Sequence, residues 1–150
     1  MPTLQQDLQQ LYKRDLDRLA KNLENIPEDK LWEIPDGVTN SCGVLVQHIV
    51  GNLHHFIGNG MGSTGYVRQR DEEFANTGKS KKELLDQIDG LQEMLDEVFA
   101  NIDNEQLTNK FPLDIPFDGT ARSFLLHLYG HLNYHLGQMN YLRRMFLGED

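Results

Sequence analysis

Residues 84 to 102 place Leu84, Ile88, Leu91, Leu95, Val98 and Ile102 at alternating spacings of four and three. That pattern keeps apolar side chains on one seam of a helix, and such a seam must be covered by other helices. The same stretch announces its own start, because Ser80 with Glu83 three residues on forms a capping box. Three further segments carry helical periodicity. The first spans about Thr3 to Asn25, with Leu4, Leu8, Leu11, Leu16, Leu19 and Leu23 on or near one stripe. The second begins at Asn40 or Ser41, both good N-caps, and runs through "GVLVQHIVGNLHHFI". The last runs from near Thr120 to about Leu147, with Phe124, Leu128, Leu132, Met139, Leu142 and Phe146 as core. No sheet is predicted. The chain reads as one all-α domain over 1–150, a four-helix bundle with long crossovers.

The connections differ in kind. Pro27 and Pro35 bracket "IPEDKLWEIPDG", expected to hold one short turn around Leu31 and Trp32. Residues 58–79, rich in glycine, are expected to be a long loop, too long for a simple connection. Residues 103–119 are expected to make a short extended excursion.

Charge narrows the partners. Fourteen basic against twenty-three acidic side chains leave a net −9, the wrong sign for nucleic acid or an anionic membrane. No signal peptide and no apolar run of ~20 residues is visible. Cys42 is the sole cysteine, which excludes an internal disulfide. A soluble, cytoplasmic protein is expected.

The fourth helix breaks its own pattern. Phe124, Leu128, His131, His135, Met139, Leu142 and Phe146 form one stripe, so two imidazoles four residues apart stand where apolar groups belong. A neutral imidazole buried there must satisfy both ring nitrogens without water. His48 stands on the apolar stripe of the second helix after Val44 and Leu45. Together the three would make a His₃ site with open positions, as in catalytic zinc centres. The other reading, core histidines bonded to backbone or to Asn52, stands level with it. Asn52 and His55 follow His48 on roughly the same face, and His55 could orient or replace a ligand. His127 continues the ladder but drifts by about 40° per step, so it is a neighbour at most. His54 is expected to point away and be exposed.

"QHIVGN" on the second helix and "HLNYHLGQMNYLRRM" on the fourth resemble the DinB/YfiT superfamily of small metal-binding bundles. "RQRDEEF" at residues 68 to 74 resembles a branch of that superfamily whose function is unassigned. The resemblance makes His48, His131 and His135 the metal triad, and its Gly137-Gln138 pair sets Gln138 beside it. It implies an up-down-down-up helix order, a homodimer and a divalent ion, zinc or nickel. Some relatives are thiol transferases or isomerases.

Two other motifs fail. "GKS" at 78–80 lacks the glycine a phosphate loop needs, since Glu73 stands there. A di-iron bundle needs Glu-x-x-His, and Leu45, Leu128 and Leu132 stand three residues before the histidines. Cys42 lies off the metal-facing stripe, so a small buried residue at a helix start is expected rather than a nucleophile. Arg68, Arg70 and Asp71 are either a solvated charge run or a substrate loop. His55, Asp71 and Glu73 are candidate general bases. The expected function is a divalent-metal-dependent transferase or hydrolase for a small molecule, with a low-molecular-weight thiol as one partner. The alternatives are a non-catalytic metal- or ligand-binding bundle, or a structural dimer.

Overall fold

The computed structural model describes residues 1–148. Helix α1 spans Leu4–Asn25 and starts at Thr3, whose hydroxyl accepts from Gln6 while the Gln6 side chain bonds back, a full capping box. Helix α2 spans Cys42–Leu53 with Ser41 as N-cap and continues as a π-helix over His54–Met61. Helix α3 is short, Arg70–Ala75. Helix α4, Lys81–Asn101, carries the Ser80–Glu83 capping box. Helix α5, Asn104–Thr108, is capped by Asp103, and α6, Ala121–Leu147, by Thr120.

Cross-helix bonds fix the directions. Gln5 Nε2 donates to Ile102 O (3.1 Å) and Lys81 Nζ to Glu24 O (3.0 Å), so α1 and α4 are antiparallel. Tyr12 OH donates to Leu125 O (3.1 Å) and Arg143 Nε to Asn22 Oδ1 (2.8 Å), so α1 and α6 are parallel. Phe56 packs on Phe124 with centroids 5.0 Å apart while His48 faces His131 and His135, which makes α2 antiparallel to α6. The four long helices therefore run up, down, down, up.

One continuous core joins them, built from the leucines of α1, α4 and α6 and from Val46, Ile49, Leu53 and Ile57 of the second helix. Each fully buried leucine contributes roughly 2 kcal/mol through the apolar area it removes from water. Leu11 and Phe146 are only half-buried, and Tyr12 is fully buried beside the leucine stripe.

The connections depart from expectation in three places. Residues 58–61, expected as loop, are helical. Glycines weaken a lone helix but let this wide turn lie against α4, where a Cβ on Gly58 would press on Met94 and one on the C-cap Gly62 would overlap the Val98 side chain. Arg70–Ala75, also expected as loop, is helix α3. The 103–119 segment starts with α5 rather than an extended strand, and only the isolated bridge Lys110–Thr120 is extended pairing. The turn in the proline-bracketed connector is a 3₁₀ turn at Glu28–Lys30, just before Leu31 and Trp32.

Candidate metal centre

α2 and α6 meet through their histidines because both helices are apolar around them. His48 and His135 are 8% and 9% exposed, and His131 is half-buried, so the cluster opens on the His131 side. One nitrogen of each ring lies within 4.8 Å of the other two. His131 Nε2 sits 3.4 Å from His48 Nε2 and 3.1 Å from His135 Nε2.

The far nitrogens have partners of their own. His48 Nδ1 donates to Glu73 Oε1 (3.1 Å), and His135 Nδ1 donates to Gln138 Oε1 (2.7 Å). With those protons on Nδ1, both Nε2 atoms carry lone pairs, and both aim at His131 Nε2. A single ring proton on His131 can satisfy only one of them. Three imidazole nitrogens converge with at most one proton to share, and a cation that accepts all three lone pairs resolves the conflict. The donor set fits a divalent transition ion such as zinc.

The support behind His48 is ionic. Arg68 donates through Nε to Glu73 Oε2 (2.8 Å) and through Nη2 to Oε1 (2.9 Å), with Glu73 only 7% exposed. Burial pushes the Glu73 carboxyl up, but the hydrogen bonds from His48 and Arg68 outweigh it and hold the group below its usual range. Glu73 reaches α2 because residue 51 is glycine: a Cβ there would overlap the carboxylate. The Phe74 ring, 5.1 Å from His48, covers the same side. Burial, followed by the neighbouring rings of His135 and His48, pushes His131 down to about 4. Burial also lowers His135, against an upward pull from Gln138.

The other expected residues divide. Gln138 supports His135 as a hydrogen-bond acceptor. Asn52 is buried with its side-chain Oδ1 unpartnered, and His55 is half-buried with Nδ1 unpartnered. His127 is exposed and stacked on Phe124 (5.5 Å), away from the convergent nitrogens. Of the substrate-loop candidates, Arg68 is held by Glu73, Arg70 lies over the Phe74 ring (5.3 Å), and Asp71 is exposed. Glu73 is no free base, because both its oxygens are engaged. Its role as the partner of His48 was missed, and the readable signal was Gly51, a glycine in the interior of a buried helix. His54 is half-buried rather than exposed, stacked on Tyr66 at 5.0 Å. Cys42 is buried, and desolvation pushes its thiol up to about 12, which leaves it inert.

Fold and site together define an all-α four-helix bundle with an inward histidine triad that could hold a metal ion. A conserved protein from Enterococcus faecalis superposes with TM-score 0.76 at 18% identity, covering 99% of this chain and 100% of that one. A DinB-like protein, YjoA, from Bacillus subtilis gives 0.70 at 21%, covering 93% and 91%. A DinB-like protein from Bacillus cereus gives 0.71 at 22%, covering 92% and 89%. At these identities the likeness concerns the fold. The chain itself belongs to the family described as "Protein of unknown function (DUF1572)", whose model matches residues 3–150. Comparison with curated proteins gives no match.

Proposed function

We propose that this protein is a divalent-metal-dependent enzyme, a transferase or hydrolase acting on a small molecule, with His48, His131 and His135 as metal ligands. The observation that carries the reading is the convergence of three Nε2 atoms while Glu73 and Gln138 occupy the Nδ1 atoms of two rings. A divalent ion held by neutral imidazoles keeps its full charge and so acidifies a thiol or water brought to its open side. The chain's own residues do the positioning. Glu73 and Gln138 fix the ring tautomers, Arg68 holds Glu73 in place, and Phe74 keeps water from the back of His48. The half-buried His131 marks the side from which a small molecule enters.

A low-molecular-weight thiol is the proposed co-substrate, zinc or nickel the proposed ion, and a homodimer the proposed assembly. Tyr134, Tyr141 and Met145, exposed along one face of α6, support the dimer. The second reading is a binding protein without turnover. It is favoured by one fact, that the acid nearest the centre is engaged by Arg68 and His48 and so is no free base.

The test is a panel of thiols with electrophiles, esters and amides, run with protein loaded in turn with zinc, nickel, manganese and iron. Rate above background that disappears in His135→Ala and persists in Cys42→Ser supports the enzyme. Background rates throughout, with full metal content, leave the binding protein.

A further inference from the structure

Four buried side-chain atoms lack a hydrogen-bond partner among the described residues: Gln5 Oε1, Asn52 Oδ1, His55 Nδ1 and Gln92 Oε1. The two glutamines still bond through Nε2, Gln5 to Ile102 and Gln92 to Asp96. The side chains of Asn52 and His55 make no hydrogen bond among the described residues. They stand three residues apart on the second helix, so they share a face, and they follow His48 by one and two turns. An amide as deeply buried as Asn52, at 7% exposure, costs free energy unless something pairs with it.

The register locates the pair. His48 faces His131 and His135, and Phe56 faces Phe124, so Asn52 lies in the layer between the histidine cluster and the aromatic group of Phe56, Phe111 and Phe124. Arg68 touches both ends of that layer, 3.4 Å from His48 Nδ1 and 6.0 Å from the Phe56 ring centroid. The helix widens to the π form from His54, a distortion often found where backbone is shaped for a ligand.

We infer that Asn52, with His55 beside it, receives the polar tail of the molecule whose reactive atom sits at the histidine centre. This rests on the metal reading above. The orphaned Asn52 atom is the acceptor Oδ1, which matches the N–H of an amide or carboxamide group. The rise of one helical turn sets that group about 6 Å from the metal-seeking atom. The ligand class is a short thiol or hydroxyl compound with an amide a few bonds away, and aliphatic analogues of the same length are disfavoured.

Cobalt(II)-loaded full-length protein tests this with two probes, N-acetylcysteamine and pentane-1-thiol, titrated by their sulfur-to-cobalt charge-transfer absorption. Wild type should bind the amide thiol about tenfold more tightly, the worth of roughly one net hydrogen bond. Asn52→Leu should remove that preference while cobalt stoichiometry stays unchanged. Asn52→Ala serves as the second variant should leucine perturb folding, judged by helical circular dichroism. An equal preference in wild type and variant, or none in wild type, overturns the inference and leaves the metal reading standing. Loss of cobalt binding in both variants assigns Asn52 a structural role and also overturns it. A wild type that binds no cobalt overturns the metal reading, and this inference with it.

Discussion

At Gly51 the absent side chain is the space that Glu73 occupies, and the orientation of His48 follows from that close approach. Gly51→Ala should displace the carboxylate and weaken metal affinity on the order of ten- to a hundredfold, as losses of such hydrogen-bonded supports do. Chelator competition measures it, and unchanged affinity would detach Glu73 from the centre. A second expectation concerns protons in the metal-free protein. The ring of His131 is held down to about 4, chiefly by burial, whereas an unfolded imidazole titrates near ~6.5. Between those values the unfolded chain takes up a proton that the folded chain refuses. Stability is therefore full above the unfolded value and falls as pH drops toward the folded one. Urea midpoints of metal-free protein should decline over that window, and less steeply in His131→Leu. Parallel profiles would contradict the shift. The histidines were legible because a four-residue spacing on an apolar stripe is a local pattern. The roles of Glu73 and Arg68 were not, because their pairing with His48 depends on how a separate short helix docks.

Between elements the main polar link is Asp15 on α1. Its side chain has no exposure, yet it accepts from Arg14 Nε (2.9 Å), Asn133 Nδ2 (3.1 Å) and the Tyr129 hydroxyl, the last two from α6. Burial pushes its carboxyl up, and those hydrogen bonds outweigh it, so the group stays ionised below its usual range. Asp15→Ala leaves the donors without their acceptor and should cost about 2–3 kcal/mol in urea unfolding. A change under about 0.5 kcal/mol, the size of an ordinary surface substitution, would show that the link carries no stability. Helix starts were readable at this scale, since Thr3, Ser41, Ser80 and Thr120 are capping residues followed by apolar periodicity. The end of the second helix was not. Glycine propensity argued for a loop at 58–61, and packing against α4 kept it helical.

For the whole molecule, the stripe periods foretold a bundle with crossovers, and the up-down-down-up order came from the family resemblance rather than from periodicity. Among the described residues no helix is long and apolar enough to cross a membrane. If the exposed face of Tyr134, Tyr141 and Met145 joins two copies, wild type should sediment as a dimer and Tyr141→Glu as a monomer. A wild-type monomer would refute that assembly. Because an ion at the centre binds only the folded chain, loading should also raise the melting temperature with ion concentration. The central claim is the metal site itself. Its most direct test is elemental analysis of protein purified without a histidine tag, then metal-loaded and dialysed, beside His131→Ala and His54→Ala. The account predicts one ion per chain in wild type and in His54→Ala, and none held stoichiometrically by His131→Ala. Full metal content in His131→Ala, or none in wild type, would contradict it.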